Sequence, residues 1–362
     1  MPSEESSISL SPGENQLYPT NSGKTVLLTG AGGSIGSALA RAIVRSGPRL
    51  LVLLDHSEWN LRQVDFALVG ILGRAQRVSI VGDICDRVLL TRIFEKYRPE
   101  IIYHSAAFKH VPVMEMNPVA AVRNNAIGTF NLVRSANQCE VGRLLMISTD
   151  KAVNPRSVMG ASKRVAELVS FRWGNAKSKT MALRLGNVLG SQGSVVPLFL
   201  HQILQGGPVT VAHPEVNRYF LTMSKAVELI LTTAGLEEGG SMFFPEMGEP
   251  IRILDLAREL IRTAGFEPEK DIPIVFTGLR PGDKMSEELV GPGESFATSS
   301  IPGIYRLTSP IALPNDFDCA IAQLADHAQQ GDIPSILETL CRIVPEYQPS
   351  ETLLGLLHRS PS

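Results

Sequence analysis

Short, uninterrupted apolar runs alternate along the chain with longer stretches whose apolar positions recur every three or four residues. The runs Thr25–Gly30 (TVLLTG), Leu50–Asp55 (LLVLLD), Arg77–Val81, Ile101–His104, Leu144–Ser148 and Met181–Leu185 predict six strands. Between them, Ser34–Ser46 places Ile35, Leu39, Ile43 and Val44 on one helical face and stops at Gly47-Pro48. The same spacing predicts helices over Glu58–Val69, Arg87–Tyr97, Asn117–Gln138 and Val158–Trp173. Strands apolar on both faces, each followed by an amphipathic helix, predict an α/β fold with a doubly wound parallel sheet.

The alternation breaks near Gly186. Beyond it, Gly/Pro-containing loops separate predicted helices at Val196–Gln205, Lys225–Ala234, Ile253–Thr263, Asp318–Gln329 and Pro334–Ile343. The expected organisation is a disordered polar tail over 1–22 and a cofactor-binding domain over 23–190, to which 214–245 returns. A smaller substrate-binding region follows over 191–213 and 246–347, and a tail over 348–362.

Composition narrows the function. At 44% hydrophobic and 19% charged, the 362 residues can bury a large core, which excludes global disorder. Thirty-four Lys+Arg against 36 Asp+Glu advertise no nucleic-acid partner, yet leave room for a local cationic pocket around a small anion. Cys85, Cys139, Cys319 and Cys341 are scattered and form no C-x-x-C pair, so no metal site is expected and free thiols fit a reducing cytoplasm. The polar N-terminus is no secretory signal, and no apolar run approaches the roughly 18–20 residues of a membrane helix.

Candidate chemistry begins between the first strand and its helix. Gly30, Gly33 and Gly36 give G-x-x-G-x-x-G, and Ser34 and Ile35 open the helix. Glycines let a pyrophosphate approach the backbone, and the helix start offers free N–H groups to it. Asp55 ends the second strand, where an acid hydrogen-bonds adenosine ribose hydroxyls and repels a 2′-phosphate, so NAD is expected rather than NADP; Asp55 could otherwise cap the next helix. Asp83, followed by Ile84 after the third strand, could meet the adenine or serve as a cap.

After the fifth strand stands Thr149-Asp150-Lys151, and further on Met159-Gly160-Ala161-Ser162-Lys163. The glycine spacing, the ribose acid and the lysine on this helix resemble the extended short-chain dehydrogenase/reductases, which carry Tyr-x-x-x-Lys where this chain has Met159-x-x-x-Lys163. The blocks GAGGSIGS, ISTDKAVNP, VMGASKR, RLGNVLGSQGSVVPLF and TGLRPGDKMSEEL resemble the polysaccharide-biosynthesis branch of the nucleotide-sugar 4,6-dehydratases. In particular they resemble the UDP-N-acetylglucosamine 4,6-dehydratases with methionine in place of tyrosine, the type that retains configuration at carbon 5.

The resemblance implies a Rossmann-type sheet with a smaller C-terminal substrate-binding region, NAD as cofactor, a UDP-sugar as substrate and homo-oligomeric assembly. It implies that Asp150 is the acid and Lys151 the base, a lysine expected to have a lowered pKa. Thr149 would bond the carbon 4 hydroxyl, Lys163 would hold the nicotinamide ribose, and Met159 would do no proton chemistry. Met159 could instead be core filler in an inactive enzyme, and Lys163 a solvated helix face. Ala106 and Ala107 would let the dinucleotide pass. Lys109 and His110 would lie near the sugar, though a lone histidine is more often structural. Asn125 would fix geometry near the site, or bond within its helix. Asn187, Ser194, Val195, Pro197 and Thr210 would line the nucleotide side, with Arg218 and Arg280 as diphosphate clamps. Glu287 and Glu288 are expected on a helix face. Many such relatives carry membrane helices ahead of the catalytic part, so the chain is expected to be the catalytic unit alone, naturally free-standing or cut from a longer parent. A nucleotide-sugar 4-epimerase and a non-catalytic NAD-binding regulator are the other readings.

Overall fold

The computed structural model describes residues 19–71, 75–173, 178–309 and 313–357. Among these, nine strands form one sheet. Its spatial order is Phe296–Thr298, Ile304–Leu307, Ser241–Pro245, Lys179–Leu185, Arg143–Thr149, Ile101–His104, Thr25–Thr29, Leu50–Asp55 and Gln76–Val81. The seven strands from Ser241–Pro245 onward are parallel; the first two are antiparallel additions at one edge.

The apolar runs behave as their composition requires. Leu27, Val52, Ile102, Leu144 and Met146 point to one face, beneath Arg87–Tyr97, Thr129–Gln138 and Val158–Trp173. Val26, Leu28, Leu51, Leu53, Tyr103 and Leu145 point to the other, beneath Ser34–Arg45, Glu58–Leu68 and Met223–Ala234. Each fully buried leucine contributes about 1.5–3 kcal/mol relative to exposure. Strand order reverses at Thr25–Thr29, whose neighbours are Leu50–Asp55 on one side and Ile101–His104 on the other. The crevice at the carboxyl ends of the two strands that part there is where doubly wound sheets bind ligands.

A separate small core of Phe199, Ile203, Val209, Val211, Val216, Ile253, Ala257, Ile261 and Ile272 forms the second lobe. This is narrower than the expected 246–347. Phe296 and Tyr305 pack on Phe244, with ring centroids 5.3 and 5.4 Å away, and join the main sheet. Helices Phe317–Gln330 and Ile333–Ile343 bury Ile321, Leu324, Ile336 and Leu340 in the main core. Aromatic edge pairing and two apolar helix faces therefore return the C-terminal stretch to the first domain.

Both expected tails need correction. Helix Glu351–Leu357 buries Leu353 in that same core, while 358–362 lie outside the described residues. At the other end 1–18 lie outside them, and Asn21 is buried, accepting a 3.0 Å bond from the Tyr103 hydroxyl. The single helix expected over Asn117–Gln138 is instead Pro118–Ala121, a π-helical segment Val122–Gly128, and Thr129–Gln138. None of the described helices is long and apolar enough to cross a membrane.

Candidate active site

The crevice at the switch point is a cleft of about 560 Å³, its open mouth included. Gly30, Gly33, Asp55, Asp83, Ile84, Ala106 and Ala107 all line it, as do His56, Asn60, Phe108 and Asn124, to which the sequence assigns no role. Gly30 has φ +66°, and a Cβ there would lie 2.5 Å from the Ala106 nitrogen. The helix beginning at Ser34 has no side-chain cap, leaving N–H groups for an anion. Asp55 is buried and accepts from the Gly32 nitrogen and the Ser57 nitrogen, both at 2.9 Å. It thereby ties the glycine loop to the second strand; Ser57, not Asp55, caps the following helix. Asp86, not Asp83, caps the helix after the third strand. A smooth, uncapped cradle with Asp55 beside it and Asp83 farther along the cleft suits a dinucleotide. A Cβ on Gly36 would lie 2.0 Å from the Gly30 oxygen. Gly36→Ala is therefore expected to weaken dinucleotide binding about 10–100-fold, the equivalent of the 1–3 kcal/mol of overpacking; titration calorimetry checks it.

The chemistry-bearing side chains converge at the end of Arg143–Thr149. Asp150 is fully buried; its Oδ1 accepts from Thr149 Oγ1 and from Lys151 Nζ, each at 2.9 Å. Lys151 also donates to Asn187 Oδ1 at 3.2 Å and stands 3.6 Å from Glu287. A Cβ on Gly160 would lie 2.3 Å from the Lys151 oxygen, so the missing side chain lets the next helix close on this turn. Burial opposes the charge on Lys151, but Asp150 and Glu287 outweigh it and hold the ammonium above the usual lysine range. The expected lowering is thus reversed, because two carboxylates face the nitrogen. Lys163 behaves otherwise: buried, donating to the Ile147 carbonyl at 2.8 Å, it is brought by burial down to about 8. Met159 is buried in the main core.

Several residues assigned to the sugar side hold the protein itself. Asn125 is fully buried, accepting from the Phe108 nitrogen and donating to the Phe108 oxygen and Ser162 Oγ. It shapes the loop leading to Lys109 rather than meeting substrate. Arg218 donates to the carbonyls of Asn217, Lys284 and Met285 and lies 3.6 Å from Glu287, so its fork is committed to the 284–287 loop and is not a free clamp. Arg280 is bonded to Asp283 but is largely exposed and able to turn. Thr210 pairs with Gln202 in the second lobe. Ser194 precedes the helix that Val195 opens and that contains Pro197; its buried hydroxyl has no partner among the described residues. Lys109 reaches Ser191 Oγ at 3.2 Å, and burial, then the Lys151 charge, lower its pKa. His110 packs against Gly193, where a Cβ would lie 2.4 Å from its ring. Glu287 is not on a helix; it is buried among Lys151, Arg218 and Lys284.

Beneath the site, Arg184 is fully buried. It donates from Nε and Nη2 to Glu167 at 3.0 Å each, to both oxygens of Glu294, and to the Leu289 carbonyl. Glu167 also accepts from Ser148 Oγ at 2.7 Å, next to Thr149. His104 bridges Thr29 and Thr129 at 2.7 and 2.8 Å, and burial lowers it to about 3, so it is neutral.

Fold and site together define a doubly wound dinucleotide-type protein with an acid–lysine pair at a strand end. The profile of the polysaccharide biosynthesis protein family matches residues 26–309, and the chain belongs to that family, within the extended short-chain dehydrogenase/reductases. It is 46% identical over 286 residues to the capsular polysaccharide biosynthesis protein CapD of Staphylococcus aureus, covering 78% of this chain and 48% of that one. The chain thus spans about half the length of the first curated relatives it matches. An inverting UDP-N-acetylglucosamine 4,6-dehydratase of Campylobacter jejuni is 28% identical, over 85% of this chain and 90% of that one. Among solved structures, Pen from Bacillus thuringiensis superposes with a TM-score of 0.74 at 28% identity, covering 81% of this chain and 90% of that one.

Proposed function

We propose that the protein is an NAD-dependent UDP-N-acetylglucosamine 4,6-dehydratase that retains configuration at carbon 5. The observation carrying this reading is the contact of Asp150 and Lys151 at the end of the fifth strand, with no titratable group at Met159. NAD, which the glycine loop and Asp55 would hold, would supply the hydride acceptor for carbon 4 and the donor for carbon 6, with the carbon 4 hydroxyl proton leaving to water and the final carbon 5 proton coming from it. The chain's own work is proton handling. Elimination breaks the carbon 5–hydrogen bond and the carbon 6–oxygen bond, so Lys151 must begin neutral and Asp150 protonated, and each ends in the opposite state. The ion pair in the substrate-free protein has the protonation pattern that follows elimination. A proton passing back across 2.9 Å restores the reactive pair.

The cleft and Asp55 support NAD over NADP, and the Campylobacter relative supports the sugar. Incubation with UDP-N-acetylglucosamine in deuterated water is expected to give a 4-keto-6-deoxy sugar with deuterium at carbon 5 in retained configuration, read by NMR. UDP-N-acetylgalactosamine would indicate an epimerase; no turnover despite bound NAD would indicate a regulator. Met159→Leu, close in volume and equally non-titrating, is expected to keep turnover within about threefold and cost under about 1.5 kcal/mol of stability. Near-complete inactivation would assign the thioether a part in the reaction.

A further inference from the structure

Glu287 lies in a 284–288 loop that turns Lys284 and Glu287 inward and leaves Glu288 exposed. Its carboxylate is almost wholly buried, with Oε1 3.6 Å from both Lys151 Nζ and the Arg218 Nε. Oε2 is 3.6 Å from Lys284 Nζ and, among the described residues, has no hydrogen-bond partner. A buried carboxylate is normally hydrogen-bonded directly. This one is held at charge-contact distance from three cations and saturated by none. Two of those cations are fixed elsewhere: Arg218 on three backbone carbonyls, Lys284 on the Val153 oxygen at 2.6 Å. Lys151 alone has a proton that the reaction must move.

We infer that Glu287 is a positioning residue for Lys151, its carboxylate favouring the Asp150–Lys151 ion pair over the neutral pair and so setting where their shared proton rests. The inference rests on the proposed dehydratase reading for its catalytic meaning, but its physical content does not. The groups facing Lys151 are Asp150 on its own turn, Asn187 after the sixth strand, Glu287, Lys284 and Arg218 from the second part of the chain, and Lys109 from the loop after the fourth strand. Asp150 and Glu287 favour its charge; Arg218, Lys109 and Lys284 oppose it. Removing Glu287 leaves one anion against three cations, so the proton is held less tightly.

The direct test reads Lys151 without turnover. Trace labelling with acetic anhydride across a pH series, quantified by mass spectrometry, gives the titration of each lysine. In the wild type Lys151 is expected to titrate above a free lysine side chain in a model peptide; titration at or below that value would overturn the inference, whatever the variants do. In Glu287→Gln the Lys151 titration is expected to fall by about one pH unit, the lower end of the effect of an opposite charge at this range. Glu287→Asp is expected to restore part of it. The basic limb of the kcat profile should move to lower pH by the same amount in Glu287→Gln. A fall in activity with both titrations unmoved would make Glu287 merely structural. A displaced Lys151 titration without any 4-keto product from the wild type would instead defeat the dehydratase reading and leave the assignment of Glu287 intact.

Discussion

Lys151→Ala is expected to lower dehydration turnover by about 10³-fold while the dinucleotide stays bound, the loss typical of a missing acid–base group. The nitrogen that would receive the carbon 5 proton disappears, and Asp150, fully buried, loses its nearest proton source at 2.9 Å. Nothing in the glycine cradle changes, because Lys151 does not line the cleft. The carbon 4 oxidation does not need this nitrogen, so reduced cofactor is expected to accumulate with substrate, seen as absorbance near that of NADH. Turnover within tenfold of wild type, or dinucleotide lost along with activity, would remove Lys151 from the base role.

Arg184→Leu is expected to destabilise the fold by about 3–5 kcal/mol, measured by urea unfolding, because it leaves Glu167 buried without its main counter-charge. Burial works against the Glu167 carboxylate, yet Arg184 and Arg164 and the Ser148 hydroxyl bring it from 4.5 down to about 2. A carboxyl depressed in the folded state stabilises above its unfolded value and loses that contribution as pH falls. The displacement corresponds to about 3 kcal/mol, present above about pH 4.5 and lost toward pH 2. In Arg184→Leu this acid-side dependence should shrink. A cost below about 1 kcal/mol would mean Arg164 alone satisfies the carboxylate. Since Glu167 also holds Ser148, the residue before Thr149, the variant should lose turnover faster than it loses secondary structure.

Local pattern made the sheet legible, since a strand covered on both faces must be apolar throughout and its helix must be apolar on one side. Helix Arg87–Tyr97 and strand Ile101–His104 begin and end where the pattern says. The glycine loop was legible because Gly30 and Gly36 meet backbone at distances no side chain allows. What stayed hidden depends on contacts between distant segments. Glu287 reads as one more charge in KMSEEL until the fold brings it to Lys151, 136 positions earlier in number. Arg218 reads as a phosphate ligand until the 284–287 loop closes on it. The two antiparallel edge strands are short, one exposed throughout and the other buried only at its ends, so their pattern resembles that of a loop. Gly160 was within a quoted motif, and only its approach to the Lys151 carbonyl gives it a reason.

The π-helical segment Val122–Gly128 makes chain length, more than side-chain chemistry, the quantity that this part of the site cannot change. A π turn holds one residue more than an α turn, and here the extra residue lets Asn125 reach the Phe108 backbone and Ser162 together. Deleting one residue from 122–128 would restore regular helix and leave the flanking helices near their present phase, so the change would fall on the bulge itself. Asn125 would then face either the loop or the helix, and not both.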